Sequence, residues 1–265
     1  MERTYTTYEH AKRKRKGIFN LADFEKQRGL QQPLCSCKKA TDAYNGKNVF
    51  WGIAMLLSAL FTQCLSRSYL TVGHDVDYAI ERRGDGLYLW FESSSGTEDW
   101  RKNLHFPARP YRSEKGDLPW FAHRGFLEAW NGVRQITADA VMDETVRSVT
   151  VVGYSHGAAI AVFCHEYVWY HRPDLRDALF GYGFGCPRVL WGRRNAELVS
   201  RWEHFTVIRN IDDVVTHLPP SALGYFHVGS LLEIGERGRY SAIDAHRPES
   251  ILRELVLLEK SQKKE

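Results

Sequence analysis

The chain has 265 residues, of which 43% are hydrophobic and 26% are charged, a composition that is typical of one or two globular domains. The formal net charge is only +4, and much of it comes from the basic run Lys12–Lys16, so the near-neutral remainder argues against a nucleic-acid-binding body. The five cysteines form neither a disulfide framework nor paired zinc-binding arms, and the sequence has no Walker loop or dinucleotide fingerprint, so we expect no metal and no cofactor.

Residues 1–45 show no regular apolar periodicity, and we predict a basic tail and irregular extension there, followed by one folded domain over residues 46–265. Met1–Gly17 is polar and basic without an apolar core, so no secretory signal is visible. This favours a cytoplasmic or peripheral membrane location over secretion by a standard signal. We expect the basic run to be a solvated, flexible tail. Peripheral contact with an anionic membrane through Lys12–Lys16 is the alternative.

The stretch Asn48–Leu65 is uncharged over 18 residues, which is near the minimum length for a membrane span. Ser58 and Thr62 nevertheless fall on one side of the predicted helix, opposite an apolar side. A polar stripe of this kind is typical of a helix packed in a globular protein. The sequence therefore predicts a packed helix over Val49–Arg67.

Alternation and turn residues predict the next elements. Val76–Ile80 and Leu87–Phe91 are predicted as two strands that are joined by a hairpin turn at Gly84-Asp85-Gly86. His105–Trp120 is rich in proline, arginine and aromatic residues, and a long segment of this kind predicts a lid-like loop. Apolar residues spaced by three and four positions then predict an amphipathic helix over Gly125–Met142.

In the second half of the chain, predicted strands alternate with predicted helices. The strands are expected over Val149–Val152, Leu179–Phe184, Phe205–Arg209 and Gly224–Ile234, the last as either a strand pair or one long strand. The helices are expected after Ser155, over Glu197–Trp202 and over Pro248–Leu258. This alternation predicts an α/β fold with a mostly parallel central sheet, an antiparallel edge and flanking helices.

The stretch Gly153-Tyr154-Ser155-His156-Gly157 lies between an apolar β-branched run and a helix rich in small residues. A strand that turns abruptly into a helix exposes its middle side chain, and glycines two positions before and after it leave room for the tight turn. The backbone N–H of His156 would lie at a helix N-terminus beside the Ser155 hydroxyl, where it suits an oxyanion. The pattern predicts that Ser155 is a nucleophile.

A serine hydroxyl needs an imidazole to take its proton and a carboxylate to orient that imidazole. In α/β-hydrolases the carboxylate and then the histidine follow the serine along the chain. Asp212 and Asp213 end a predicted strand and are the best-placed pair of carboxylates, of which only one need be catalytic. His246, in a polar loop before the last helix, is favoured over His227, which lies in a strand-like run.

The chain resembles the class 3 lipases, the fungal-lipase-like branch of the α/β-hydrolases, from about residue 50 to about residue 250. Six motifs stand in the order found in that family, and their number and order make the resemblance specific although each is weak alone. The motifs are Phe91-Glu92-Ser93-Ser94 with Asp99-Trp100 and Asn103-Leu104, then His123-Arg124-Gly125-Phe126, Gly153-Tyr154-Ser155-His156-Gly157, Phe184-Gly185-Cys186-Pro187-Arg188-Val189, Asp213-Val214-Val215 with Leu218-Pro219-Pro220, and Tyr225-Phe226-His227-Val228-Gly229.

The resemblance implies an α/β-hydrolase fold and a role for each residue that matches a family motif. Ser155 matches the family nucleophile, Asp213 matches the family acid, and His246 matches the late-chain histidine. Ser94 matches the serine or threonine of the oxyanion loop, whose backbone N–H and hydroxyl would complement the N–H of His156.

The resemblance also implies the reaction, which is the cleavage of carboxylic esters of lipids by a triacylglycerol lipase, an esterase or a phospholipase. The partner would be a lipid or another small ester, and His105–Trp120 stands at the place of the family's lid. The chain has Glu92-Ser93 where the family usually has Arg-Gly before the oxyanion residue. A catalytically impaired hydrolase fold that serves as a binding or membrane-associated module is therefore the alternative.

Overall fold

Two β-sheets organise the part of the chain that the computed structural model describes, which comprises residues 57–72, 76–93, 108–113 and 116–262. These residues belong to one compact unit that spans Asn45–Glu265. The predicted basic tail and irregular extension over residues 1–45 lie outside the described residues, and the boundary at residue 46 stays a prediction.

The larger sheet has seven strands within the described residues, in the order β1-β2-β3-β6-β7-β9-β11. They are β1 (Leu70–Val72), β2 (Val76–Arg83), β3 (Gly86–Ser93), β6 (Ser148–Tyr154), β7 (Leu179–Phe184), β9 (Phe205–Asn210) and β11 (Ser230–Ile234). Pairing is antiparallel from β1 to β3, which includes the predicted hairpin, and parallel from β3 to β11. This arrangement confirms the predicted mostly parallel sheet with an antiparallel edge.

Helices cover both faces of this sheet. The helices of the described residues are α1 over residues 57–66, α2 (Arg124–Val141), α3 (His156–His171), α4 (Ala196–Arg201) and α5 (Pro248–Gln262). Trp130 of α2 and Ile160 of α3 belong to the core on one face, whereas Phe61 of α1 and Leu255 of α5 belong to the core on the other. Because strands in such a sheet are covered on both sides, β6 is buried without interruption from Val151 to Tyr154.

A second sheet has the order β10 (Tyr225–Phe226), β8 (Leu190–Trp191), β5 (Gly116–His123) and β4 (Ala108–Ser113). Its strands replace the irregular loop that is predicted over His105–Trp120, whereas the role of this segment as a lid stays a prediction. Within that segment the structure describes the antiparallel pair β4 (Ala108–Ser113) and β5 (Gly116–His123), and β5 pairs in turn with β8 (Leu190–Trp191). Proline disfavours a central strand, but Pro110 lies in β4, the edge strand of this sheet, where proline is tolerated. Pro119 lies in β5 before Phe121 and Ala122, the residues that pair with β8. Trp120 in β5 is only 3% exposed, which ties the hairpin to the core.

The segment Gly224–Ile234 forms two strands, as one of the two predictions for it states, but they join different sheets. β10 (Tyr225–Phe226) pairs with β8 in the smaller sheet, and β11 pairs with β9 in the larger one. Gly229, between them, has φ +69°, and a Cβ there would lie 2.1 Å from the carbonyl oxygen of Phe205. A glycine is therefore required where the chain crosses from one sheet to the other.

The predicted helix over Val49–Arg67 falls within the described residues only from residue 57 onward, as α1. Its polar stripe faces α5, because the hydroxyl of Ser58 donates a hydrogen bond to the carboxylate of Glu259 and both side chains are buried. Among the described helices, none combines the length and the apolar character that crossing a bilayer requires.

Candidate active site

Ser155 occupies a strained turn between β6 and α3. Its backbone has φ +55° and ψ −121°, and it is the one non-glycine residue with positive φ in the described part of the chain. A Cβ at Gly153 would lie 2.3 Å from the carbonyl oxygen of Gly157, and a Cβ at Gly157 would lie 2.2 Å from that of Phe91. Both glycines are thus required by close backbone approach, and the serine side chain is lifted out of the turn.

His246 bridges Ser155 and Asp213. Its Nε2 lies 2.8 Å from Oγ of Ser155, and its Nδ1 lies 2.8 Å from Oδ2 of Asp213. The imidazole is 2% exposed and the carboxylate is fully buried, whereas the serine is half-buried. A serine, an imidazole and a carboxylate in this order can take the hydroxyl proton and hold the resulting imidazolium.

Sheet topology explains why three distant residues meet. Ser155 follows β6, Asp213 follows β9, and His246 lies in the connection between β11 and α5. These strands are parallel, so their carboxyl ends share one edge of the sheet, which is where such folds place their ligands.

The two adjacent aspartates have different surroundings. Oδ1 of Asp213 accepts a hydrogen bond from the N–H of Val215 at 2.9 Å, which caps a short 3-10 turn and leaves Oδ2 aimed at His246. Asp212 instead accepts hydrogen bonds from the N–H groups of Gly238, at 2.9 and 3.0 Å, and Tyr240, at 3.3 Å. These bonds, that of Gly238 foremost, hold the pKa of Asp212 below its ordinary value. Asp212 therefore anchors a loop, whereas Asp213 faces the imidazole.

His227, the less favoured histidine, lies away from the serine hydroxyl. Its Nε2 is 2.8 Å from the carbonyl oxygen of Thr216, to which it donates a hydrogen bond, and burial lowers the pKa of its imidazole to about 4. The hydroxyl of Thr216 donates in turn to the carbonyl oxygen of Asp213 at 2.8 Å. His227 thus supports the turn that carries the aspartate.

Of the two predicted oxyanion residues, the structure describes only His156. His156 is the first residue of α3, so its backbone N–H belongs to the N-terminal turn, and its ring lies 5.5 Å from that of Phe126. Ser94 lies outside the described residues. Strand β3, which leads to Ser94, does reach the elbow, because a Cβ at Gly157 would lie 2.7 Å from the backbone nitrogen of Glu92. The role of Ser94 stays a prediction.

Two residues that the sequence analysis named only as parts of motifs lie against the imidazole of His246. Tyr154 stacks on it with ring centroids 5.5 Å apart, and a Cβ at Gly185 would lie 2.8 Å from its Cε1. Both stand in motifs that mark the ends of β6 and β7. Their positions at strand ends could have marked them as site residues in the sequence, because the carboxyl ends of parallel strands lie at one edge of the sheet.

No group of three or more metal-binding side chains occurs within the described residues. The three cysteines among them, Cys64, Cys164 and Cys186, are buried and free. Burial raises the pKa of the Cys64 thiol to about 12, which leaves it protonated and unreactive at neutral pH.

Comparisons with known proteins identify the family of the chain. A family model described as Lipase (class 3) matches residues 88–223, about half of the chain. A lipase of Rhizomucor miehei is 30% identical over 171 residues, which are 62% of this chain and 46% of that protein, so the chain spans less than half the length of this relative.

Solved lipase structures share the fold. The lipase of Rhizopus microsporus var. chinensis superposes with a TM-score of 0.55 at 20% identity, over 81% of this chain and 87% of that one. A triacylglycerol lipase, whose catalytic centre is formed by a serine protease triad, superposes with a TM-score of 0.55 at 23% identity, over 73% and 82% of the two chains.

Proposed function

The chain belongs to the class 3 lipase family, and we propose that it is a serine hydrolase that cleaves carboxylic esters of lipids through Ser155, His246 and Asp213. One observation carries the proposal, namely that a single imidazole lies within 2.8 Å of both a strained serine hydroxyl and a buried carboxylate. We propose triacylglycerols as the first substrate class to test, because a triacylglycerol lipase of the same fold has a serine protease triad at its catalytic centre.

The proposed reaction proceeds through an acyl-enzyme. Nε2 of His246 accepts the proton of the Ser155 hydroxyl while Oγ attacks the ester carbonyl carbon. The buried carboxylate of Asp213 holds Nδ1 and stabilises the imidazolium. The imidazolium then protonates the leaving alcohol as the carbon–oxygen bond breaks, which leaves an ester on Ser155. A water molecule, deprotonated by the same imidazole, hydrolyses this ester and releases the acid.

The oxyanion of each tetrahedral intermediate is assigned to the backbone N–H of His156, at the N-terminus of α3, together with Ser94. The dipole of a 16-residue helix favours negative charge at that end. Removing one such donor typically costs on the order of 10² to 10³ in rate. Ser94→Ala is expected to lose only the hydroxyl contribution, since the backbone N–H remains.

The test combines turnover with covalent labelling. Wild-type protein is expected to hydrolyse p-nitrophenyl esters and triacylglycerol emulsions and to be labelled by a fluorophosphonate at Ser155. Ser155→Ala should lose both turnover and labelling with an unchanged circular dichroism spectrum, whereas Ser200→Ala, at an exposed position of α4, should keep both. Folded wild-type protein that is neither active nor labelled would favour the alternative of an impaired binding module. Activity on phospholipid vesicles alone would change the substrate class and keep the mechanism.

Contact with anionic membranes through Lys12–Lys16 is a separate proposal, which rests on the charge of that run alone because it lies outside the described residues. Co-sedimentation with phosphatidylserine vesicles tests it. Binding should fall when the run is replaced by glutamines and should also fall with added salt. Equal binding of both proteins would exclude this contact.

A further inference from the structure

Tyr154 connects the nucleophile's own strand to the backbone of His246. Its hydroxyl donates a hydrogen bond to the carbonyl oxygen of His246 at 2.7 Å. Its ring stacks on the imidazole, with centroids 5.5 Å apart and an interplanar angle of 23°. Because Tyr154 directly precedes Ser155, the end of β6 holds both partners of the hydrogen bond between Oγ and Nε2.

The tyrosine is itself held in place and can act only as a donor here, because a carbonyl offers no hydrogen. Tyr154 is 6% exposed, and Phe61 meets its ring edge-on at 5.5 Å, so the ring has little freedom to turn away. Burial, reinforced by Asp213 and Glu92, raises the pKa of the phenol well above its ordinary value. The phenol therefore stays protonated and keeps donating throughout the neutral range.

His246 needs the hydrogen bond from Tyr154 because it lies in the loop between β11 and α5 rather than in a long helix or strand. It ends a short 3-10 turn, Asp244–His246, whose local support includes the bond from its own N–H to the carbonyl oxygen of Ile243 at 3.1 Å. Proton transfer requires the base to stay within about 3.2 Å of the hydroxyl. A bond from the end of β6 to the backbone of this turn fixes that distance across the site.

We propose that Tyr154 is a positioning residue, which sets the distance between His246 and Ser155 through its hydroxyl. The proposal rests on the serine hydrolase function proposed above and deepens it. The hydroxyl of Tyr154 binds the backbone of His246, so its effect passes through the imidazole. It should therefore alter the chemical step and leave substrate binding unchanged.

The test compares Tyr154→Phe, which keeps the ring and removes the hydroxyl, with Tyr69→Phe. Tyr69 is a matched control, because its hydroxyl also donates to a backbone carbonyl at 2.7 Å, that of Cys64, beside α1 rather than at the site. For a soluble p-nitrophenyl ester, we expect Tyr154→Phe to lower kcat about tenfold, the kinetic equivalent of one lost hydrogen bond. KM should change by less than about twofold. Tyr69→Phe should leave both constants within about twofold.

A second readout does not depend on turnover. The Nδ1 proton of His246, shared with Asp213, should give a strongly deshielded resonance in the proton NMR spectrum, and Asp213→Asn assigns it by its loss. This resonance should shift or broaden in Tyr154→Phe, because the imidazole is no longer held in one orientation. It should stay in place in Tyr69→Phe.

The outcomes separate this proposal from the function on which it rests. If wild type is active and both phenylalanine variants have the same kcat and the same resonance, the positioning role is overturned and the hydrolase function stands. If wild type is neither active nor labelled by fluorophosphonate, the proposed function fails, and the resonance alone decides the positioning role. A Tyr154→Phe protein that does not fold at any temperature also overturns the role, because the hydroxyl would then serve the fold rather than the imidazole.

Discussion

Gly185 lies directly against the imidazole of His246, where a Cβ would be 2.8 Å from Cε1 and 3.0 Å from Nδ1. The backbone at this position cannot easily retreat, because the N–H of Gly185 donates to the carbonyl oxygen of Ile208 at 2.9 Å. Its φ of +57° is in the left-handed region, which favours glycine. The end of β7 therefore leaves the space that the ring occupies.

Gly185→Ala is predicted to displace the imidazole and to lower kcat/KM on a p-nitrophenyl ester by about 100-fold or more, since a shift near 1 Å has that effect on positioned groups. Gly84→Ala is the matched control, because Gly84 has φ +61° and nothing within 4 Å of its added Cβ. Both variants should lose about 1–2 kcal/mol of stability from the left-handed backbone, as measured by urea unfolding. Equal activity of the two variants would contradict the close packing of Gly185 on His246.

The neighbouring acids provide a second prediction. Asp213→Asn should lower kcat on the order of 10⁴, because an amide no longer holds the imidazole in the required tautomer. Asp212→Asn should leave kcat within about threefold, since Asp212 binds the backbone N–H groups of Gly238 and Tyr240 rather than His246. Steady-state kinetics on purified variants check both values, and a larger loss in Asp212→Asn would reverse the assignment.

Asp212 should also affect the free energy of unfolding at acidic pH. Its pKa is lower in the folded state than in the unfolded chain, mainly through the N–H of Gly238. The stability that it contributes is therefore present above the unfolded value of about 3.9 and is lost as the pH falls below it. Asp212→Asn should remove this part of the pH dependence, which urea unfolding between pH 3 and pH 5 would measure.

Much of the site could be predicted because parallel topology places strand ends together. Ser155 follows a strand and precedes a helix, Asp213 follows a strand, and His246 lies in a loop after the last strand. Each position can be recognised locally, and the common edge then follows from the alternation of strands and helices. Position after a strand could not separate Asp212 from Asp213, because the hydrogen bonds that distinguish them come from residues farther along the chain. The choice of Asp213 rests on the family motif instead.

The smaller sheet could not be predicted in the same way. β8 has only two residues, Leu190 and Trp191, and its partners are Ala122 and Phe121, far earlier in the chain. Two residues show no periodicity, so the pairing is set by tertiary packing instead of by local pattern. The contact of Gly185 with the imidazole of His246 could not be predicted either, because His246 lies far along the chain.

A fourth prediction concerns the buried ion pair between Glu166 of α3 and Arg201 of α4, which are 2% and 4% exposed. Arg201→Met removes the guanidinium that faces this carboxylate and should cost about 3–5 kcal/mol in the free energy of unfolding. Arg209→Met is the control, because Arg209 pairs at 2.6 Å with Glu233, whose side chain is 47% exposed. Its loss should cost less than about 1 kcal/mol. Similar losses in the free energy of unfolding for the two variants would contradict the expectation that a buried, uncompensated Glu166 is costly.

The last prediction comes from His123, which caps the N-terminus of α2 and is 3% exposed. Its Nδ1 accepts a hydrogen bond from the N–H of Phe126 at 3.4 Å, which requires the neutral ring. Burial, with a smaller effect of nearby His156, lowers the pKa of His123 to about 4. The unfolded value is about 6.5, so between pH 4 and pH 6.5 the unfolded chain binds the additional proton.

The contribution of His123 to the free energy of unfolding should therefore be fully present above pH 6.5. It should fall as the pH is lowered towards 4, by up to about 1.4 kcal/mol per pH unit. His123→Asn keeps an acceptor that suits the first position of a helix and removes the titrating ring, so it should reduce that slope by about the same amount. Urea unfolding of both proteins from pH 4.5 to pH 7.5 measures the difference. Parallel curves would mean that His123 stays neutral in the unfolded chain or charged in the folded one, and either result contradicts its role as a neutral cap of α2.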